Sequence, residues 1–467
     1  MSPIGSLVGD KAGKMKTADT SPMPTRRVFL RMATAQGIAL PAACGVLYDM
    51  ANAAPAGAAI PAHTPSHTPA HAPAHKGALR PEPGLEPAHA QIMRDFMHPK
   101  LELTRLLHEA AEIEHALMAQ YLYAAFSLKA EYELVRGNGA PNADDLVGVA
   151  VQEMQHLGAV NRLLVDLGAA PHMGRQDFPY EPDLYPFPFH LEPLSRHSLA
   201  KYVFTEAPEG VLDPKHAKTA EDQRFLAELR TVLGRETRPN HVGTLYGTII
   251  DLVSELQAMP DASQLPDLET WKVKLEEIKG EGEIDHYHFF RNLFMGRHAG
   301  FAGHPDIWSL SPGDAAYPSF KLPLDPSAYK GHANEIEDPM ALGLAWLGNL
   351  EYWTALCLLD IHYREDGDAA LNLARAHMLG PLWSLGTHLP KLGAGIPFDP
   401  LSLGYAPGRT PRESVQFTVT LVREAAQIAR VLERHLPSDF PIDQHADTIA
   451  ALETDLVALL PGGNTHR

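Results

Sequence analysis

Two Glu-x-x-His pairs lie inside segments whose apolar residues recur with the spacing of an α-helix. The first pair is Glu153 and His156, and the second is Glu283 and His286. Residues three apart lie almost one turn apart on a helix, so each pair projects from one face. Both pairs are in register with apolar residues. The sequence therefore predicts two helices that direct carboxylate and imidazole groups toward a core.

Helical periodicity continues along most of the chain after Asp95, and strand patterns are nearly absent. We therefore predict an all-α fold: a four-helix bundle over residues 95–300, followed by a C-terminal helical region over 301–467 that packs on it. The predicted helical segments are about 99–129, 143–167, 218–257 with a break at 238–239, 268–294, 334–363, 368–390, 411–436 and 444–460.

A third acidic residue, Glu114, interrupts the apolar stripe of the first helix. Burying a lone carboxylate costs several kcal/mol or more, so acids on three core faces need compensation. Glu-x-x-His from two helices of a bundle, with Glu from the other two, is the arrangement that holds two iron or manganese ions. We therefore predict bridging roles for Glu153 and Glu283, and a metal site formed by Glu114, Glu153, His156, Glu283 and His286.

Competing residues leave this ligand set open on two helices. Glu112 and His115 make a further Glu-x-x-His pair on the first helix, but Glu114 fits the apolar stripe better. On the fourth helix, Glu281, Asp285 and His288 form a second face.

The third helix has no Glu at the expected core position, where Thr244 stands. His241, Asp251 or Glu255 could supply the missing ligand from neighbouring turns. Otherwise the site would be asymmetric or would hold a single metal ion.

The N-terminal residues have the pattern of an export signal. Arg26 and Arg27 precede an apolar run from Val28 to about Leu47, which ends near the small residues 51–53. We predict a twin-arginine (Tat) signal peptide over 1–53, use of the Tat export machinery, and a periplasmic or secreted mature chain with no stable membrane span. Cys44 leaves a lipoprotein anchor open, although the residues before it make a poor lipobox.

A linker rich in Pro, Ala and His is predicted over residues 54–94, because proline at this density disfavours a helix. The alternative to a simple linker is that its regularly spaced histidines bind metal weakly. They are His63, His67, His71 and His75.

The charge and cysteine content exclude several classes of function. A formal net charge of -18 opposes nucleic-acid binding, since most of the surface would repel a polyanion. Two cysteines cannot build a disulfide scaffold or a four-cysteine metal site. Cys357 lies in an apolar helix and is predicted to be a core thiol.

Several stretches carry motifs that can be compared with known families: Leu106–Leu122, Gln152–Leu157, Phe204–Glu209, Gly280–His286 and Ala376–Phe398. Together they resemble a ferritin-like family that includes the iminophenyl-pyruvate dimer synthase of violacein biosynthesis. The resemblance implies a ferritin-like bundle with the five metal ligands named above. It adds Glu206 as a further acidic candidate, although the nearby Pro208 equally suggests a structural turn.

The chain departs from this family at Gly243–Tyr246, where the family often has Gly-Glu-x-Tyr. The synthase acts on an imine made by a partner amino-acid oxidase in the cytoplasm. Because an exported protein would be separated from that partner, we do not transfer the substrate.

Two functions follow from these observations. The favoured one is an exported ferritin-like oxidoreductase that uses two iron or manganese ions, and oxygen or peroxide, to oxidise a small organic substrate. Tyr121 would be its catalytic radical or proton donor, unless it is simply a core aromatic residue. The alternative, which Thr244 favours, is a non-catalytic ferritin-like metal-binding or scaffold protein with a degenerate site.

Overall fold

The computed structural model describes residues 92–460 except 141, 176–186, 209, 235–241, 261–264, 305, 366, 401–409 and 437–444. This part of the chain is all-α, as predicted: it contains two isolated β-bridges and no strand. The predicted signal peptide and nearly all of the linker lie outside the described residues. Across the described part, no helix combines the length and apolar character needed to cross a membrane.

The N-terminal half is built on two long helices whose starts are capped by side chains. His98 accepts a hydrogen bond from the backbone N–H of Lys100, and Asp145 accepts one from Gly148. The helices of this half are α1 (Pro99–Phe126), α2 (Glu133–Arg136), α3 (Leu146–Asp166), α4 (Arg196–Glu206), α5 (Ala220–Leu233), α6 (Val242–Gln257), α7 (Leu268–Gly280) and α8 (Tyr287–Phe294), with single 3₁₀ turns at Ala130–Tyr132 and Pro214–His216.

The bundle places several of these helices side by side. Helix α1 packs on α3 and α6, α6 packs on α7, and α4 packs on α8. Two features differ from the sequence prediction. Helix α4, which the apolar pattern did not reveal, begins at a capping box formed by Ser195 and Ser198. The fourth predicted helix is interrupted by a π-helical turn, Glu281–His286, between α7 and α8.

The C-terminal half is also helical. Its long helix α9 (Pro339–Arg364) buries Trp353 and Cys357, in line with a core role for that thiol. The other elements are α10 (Ala369–His377), a π-helical turn (Met378–Leu382), α11 (Trp383–His388), α12 (Pro411–Glu433), α13 (His445–Ala458) and 3₁₀ turns at Ala299–Phe301, Ile307–Ser309 and Leu389–Leu392.

Helices of the two halves touch each other. Helix α9 contacts α3, and α11 contacts α1. Within the C-terminal half, α12 packs on both α9 and α13. The exact domain boundary at residue 300 stays a prediction.

Candidate metal centre

Glu153 lies at the centre of a buried group of carboxylates and imidazoles. Helix α3 directs its side chain into the bundle, where it is 2 % exposed. One carboxylate oxygen, Oε2, lies 2.9 Å from Nδ1 of His156. The other, Oε1, lies 3.1 Å from Nδ1 of His286. Glu153 therefore faces one histidine with each oxygen.

Two sets of three donor residues share this glutamate. The first donor set is Glu114, Glu153 and His156, and the second donor set is Glu153, Glu206 and His286. Within each set, one donor atom from every residue lies within 4.8 Å of the others, and all the residues are buried. This is the geometry of a carboxylate placed between two neighbouring metal positions.

Each outer carboxylate is held by a tyrosine. The hydroxyl of Tyr246 on α6 donates a hydrogen bond to Oε1 of Glu114, and the hydroxyl of Tyr121 on α1 donates one to Oε1 of Glu206. The two donor sets therefore repeat the same pattern of tyrosine, outer glutamate, histidine and shared Glu153. The two imidazole rings lie stacked, with their centroids 5.8 Å apart.

Burial and mutual charge shift the pKa values of these groups. Burial raises the pKa of the Glu114 carboxyl, and the charge of Glu153 raises it further, to about 8. Burial disfavours the charged form of His286, but the charges of Glu153 and Glu206 outweigh this and raise its pKa to about 10. Burial also opposes ionisation of Glu153, but His286 and His156 outweigh it and lower the pKa of Glu153. Glu153 is therefore the most firmly ionised carboxylate of the group.

The donor chemistry fits divalent metal ions. Glu153 Oε1 and His286 Nδ1 are buried 3.1 Å apart, and neither makes a hydrogen bond within the described structure. Buried polar atoms are normally satisfied, so two converging donor atoms of this kind suit a metal ion that would displace the imidazole proton. Carboxylate and imidazole donors are those that iron and manganese accept.

A small, partly open cavity lies against both donor sets. Besides the donors, its walls include Val242, Gly243, Tyr246 and Lys279, so α6 and α7 form part of the lining. Gly282 permits the close approach of the π-helical turn, because a Cβ there would lie 3.2 Å from Oε2 of Glu206. The centre is thus buried, with a small opening beside it.

Four of the five predicted metal ligands are in the donor sets: Glu114, Glu153, His156 and His286. The fifth, Glu283, also lines the cavity but belongs to neither set, and its Oε1 lies 3.9 Å from Nζ of Lys279. The π-helical turn explains the difference. Its i→i+5 hydrogen bonds widen the turn, so residues three apart no longer share a face as they do on an α-helix. Ligation by Glu283 stays a prediction.

The competing residues lie elsewhere. Glu112 bonds to His172, while His115 contacts the carbonyl of Gly174 and the hydroxyl of Tyr352. Among the alternatives on the third and fourth helices, Asp251, Glu255, Asp285 and His288 are exposed, and His241 lies outside the described residues. Glu281 alone approaches the centre, where its Oε2 lies 2.9 Å from Nε2 of His156.

Helical periodicity did not identify the residue that fills the apparent gap at Thr244, although the family resemblance offered it as an acidic candidate. The carboxylate comes from Glu206, the last residue of α4, and not from α6. Pro208 follows the end of this helix and does not prevent the side chain from joining the second donor set. Tyr246, which reaches Glu114 from α6, was also missed. Its only sequence signal was its position within the Gly243–Tyr246 stretch.

Comparison with known proteins agrees with this geometry. Residues 107–294 match the ferritin-like family model. The chain is 26 % identical over 279 residues to a dichlorochromopyrrolate synthase of Lentzea aerocolonigenes, covering 55 % of this chain and 25 % of that protein. It is 31 % identical over 144 residues to a 2-imino-3-(indol-3-yl)propanoate dimerase of Chromobacterium violaceum, covering 25 % of this chain and 14 % of that protein. No solved structure matches the chain significantly.

The fold and the family match together define an all-helical protein with a ferritin-like domain over residues 107–294. The resemblance predicted from the sequence motifs is therefore confirmed as a ferritin-like domain match over residues 107–294, with low identity to both relatives. The matches span a quarter or less of the relatives' own lengths.

Proposed function

We propose that the protein is a di-iron or di-manganese oxidoreductase that uses oxygen or peroxide to oxidise a small organic substrate. The observation that carries this proposal is the sharing of Glu153 by two buried donor sets beside a cavity. A cluster of acidic residues on the surface would not bring two buried donor sets together around one carboxylate. Perturbed carboxylates gathered in a core are typical of functional sites.

The side chains would divide the work in the following way. Glu153 would bridge the two metal positions, Glu114 and Glu206 would each bind one position, and His156 and His286 would be terminal ligands. A pair of redox-active ions held there would supply electrons to the oxidant. Tyr121 and Tyr246 hold the outer carboxylates in place through hydrogen bonds, so the ligands are preorganised.

The two tyrosines that hold the outer carboxylates differ in their position relative to the cavity. Both side chains are buried, but Tyr246 lines the cavity, whereas Tyr121 contacts Glu206. In this arrangement Tyr246 lies beside a molecule that enters the cavity, and Tyr121 acts through Glu206. The predicted role of Tyr121 as a radical or proton donor remains part of the proposal.

The substrate class is proposed from the relatives. The cavity beside the donor sets is where such a substrate would approach the metal ions. The names of both relatives describe enzymes of small organic compounds. The alternative of a non-catalytic scaffold depended on the absence of an acidic residue at Thr244. Glu206 supplies a carboxylate to the second donor set, so this argument for the alternative no longer holds.

Export by the Tat route is a separate proposal, supported by Arg26, Arg27 and the apolar run that follows. It is tested by fusing residues 1–53 to a reporter that functions only outside the cytoplasm. Export that is abolished by Arg26→Lys/Arg27→Lys would support it. Equal export of the altered fusion would contradict it.

The oxidoreductase proposal is tested by oxygen consumption. The protein is loaded with iron(II) without oxygen and then mixed with oxygenated buffer. We expect rapid oxygen uptake that Glu153→Gln abolishes and that Glu276→Gln, an exposed change on α7, leaves intact. Oxygen uptake that is the same in Glu153→Gln as in the unaltered protein would overturn the proposal.

A further inference from the structure

The two histidines of the centre differ in what their outer nitrogens contact. In each ring Nδ1 faces Glu153, and Nε2 points away from it. Nε2 of His156 lies 2.9 Å from a carboxylate oxygen of Glu281. Nε2 of His286 lies 3.3 Å from the side-chain oxygen of Gln152. One histidine is therefore backed by a charged acceptor and the other by a neutral one.

These contacts favour Nδ1 as the nitrogen that each ring would offer to a metal ion. A carboxylate or amide oxygen only accepts hydrogen bonds, so Nε2 can keep its proton and donate it when a metal ion displaces the proton from Nδ1. Nδ1 of His156 and Nδ1 of His286 are then the nitrogens that face the donor sets. Metal-binding histidines commonly donate their second N–H to such a partner, which sets the tautomer and the ring orientation.

From this difference we infer that Glu281 and Gln152 are positioning residues for the two histidines, and that they make the two metal positions unequal. The inference rests on the proposed metal function. A carboxylate acceptor makes the imidazole a stronger electron donor than an amide acceptor does. The metal beside His156 should therefore be bound more tightly, and held in a more electron-rich state, than the metal beside His286.

The position of Glu281 favours this role over direct ligation. Its carboxylate contacts the outer nitrogen of His156, on the side of the ring away from Glu153. Its side chain is 36 % exposed, whereas those of Glu114 and Glu153 are 2 % exposed. Glu281 therefore lies at the rim of the centre, where a change of charge should leave the fold intact.

The test compares charge swaps at the two partners. Glu281→Gln keeps a hydrogen-bond acceptor but removes the charge, and Gln152→Glu makes the opposite change beside His286. Glu276→Gln on α7 removes an exposed charge and serves as the matched control. Each protein is titrated with cobalt(II) to obtain affinities, and is loaded with ⁵⁷Fe for Mössbauer spectroscopy.

We expect Glu281→Gln to retain two metals per chain while weakening one of the two affinities by about 10–100-fold, the usual cost of losing an outer partner. One of two distinct Mössbauer doublets should shift. Gln152→Glu should shift the other doublet, and the double swap should exchange the pattern. A purely structural role would not move one doublet selectively.

Two results would overturn the inference while leaving the proposed function standing. In the first, Glu281→Gln leaves both affinities and both doublets unchanged. In the second, Glu281→Gln loses one metal entirely while Glu283→Gln loses none, which would make Glu281 a ligand. If the unaltered protein does not bind two metals, the proposed function itself fails, and the inference fails with it.

Discussion

Two regions of the molecule bury a glutamate with two histidines, and only one of them has the geometry of a metal site. In the bundle, Glu153 faces His156 and His286 with separate oxygens. In the C-terminal half, Oε1 of Glu351 on α9 pairs with Nε2 of His445, while His377 reaches only the backbone oxygen of Glu351, at 3.2 Å. Both glutamates are almost inaccessible to solvent.

The two regions are alike in burial and residue type, and they differ in how many donor groups surround the glutamate. Around Glu153, further carboxylates complete two donor sets, but no set of three donors forms around Glu351 in the described part of the chain. Oε2 of Glu351 also makes no hydrogen bond there, yet no other possible ligand converges on it. Glu351 and His445 therefore make a buried hydrogen-bonded pair that joins α9 to α13, whereas two donor sets converge on Glu153.

Removal of the shared carboxylate should have the largest effect. Glu153→Ala takes one ligand from both donor sets, so metal content should fall from about two ions per chain to almost none. Glu351→Ala, the matched change in the other region, should leave metal content unchanged. Elemental analysis after dialysis measures both. Equal retention of metal by Glu153→Ala and the unaltered protein would break the distinction between the regions.

Loss of one outer carboxylate should remove one ion. Glu206→Ala disrupts only the second donor set, so content should fall from about two ions to about one. Glu112→Ala removes a largely buried carboxylate of α1 that contacts His172 and lies outside both sets, and it serves as the control. A similar loss in both variants would indicate general damage to the bundle.

Glu351→Ala should act on stability instead. It leaves Nε2 of His445 buried without its hydrogen-bond partner, which costs about 1–3 kcal/mol. Chemical denaturation measures the change in unfolding free energy. The double change Glu351→Leu/His445→Leu should recover much of the loss, since apolar residues can replace a buried pair. No loss in the single variant would contradict a structural role for this pair.

Tyr121→Phe should have a smaller effect. It removes the hydrogen bond to Glu206 and keeps the aromatic ring, at a cost of about 0.5–1.5 kcal/mol for a typical hydrogen bond. Both metals should remain bound. Tyr202→Phe is the control, because Tyr202 packs against Tyr121 with ring centroids 4.8 Å apart and its hydroxyl donates a long hydrogen bond of 3.4 Å to the Gln120 carbonyl. Metal loss in Tyr121→Phe would show that Glu206 needs this tyrosine in order to bind.

The smallest effect should be a dependence of stability on pH in the C-terminal half. Burial lowers the pKa of His377, although the charge of Glu351 partly offsets this. The unfolded chain then binds a proton more readily than the folded chain does. Stability should fall as pH drops below about 6.5, by up to about 1.4 kcal/mol per pH unit. His377→Gln should reduce the slope of unfolding free energy against pH below about pH 6.5. An unchanged slope would contradict the attribution of this pH dependence to His377.

Much of the bundle could be read from the sequence, because burial on one helix face leaves a regular pattern. The apolar stripes of α1 and α3 place Glu114, Glu153 and His156 on core faces, and the structure brings these three together. This reasoning needs only the 3.6-residue turn, and it works where the helix is regular.

The remainder of the centre depends on departures from that regularity. Glu206 ends a helix that has almost no amphipathic pattern, so its direction could not be derived from periodicity. Glu281 reaches His156 from a π-helical turn, whose wider spacing changes which residues share a face. Both depend on tertiary packing, which a single sequence does not reveal.

The central claim is that Glu153 lies between two metal positions, and anomalous X-ray diffraction tests it most directly. Crystals of protein loaded with iron or manganese would be measured on both sides of the metal absorption edge. We predict two anomalous peaks flanking the Glu153 carboxylate, one beside His156 and one beside His286, and no peak near Glu351. The absence of peaks at Glu153, or a peak beside Glu351 in their place, would contradict the account.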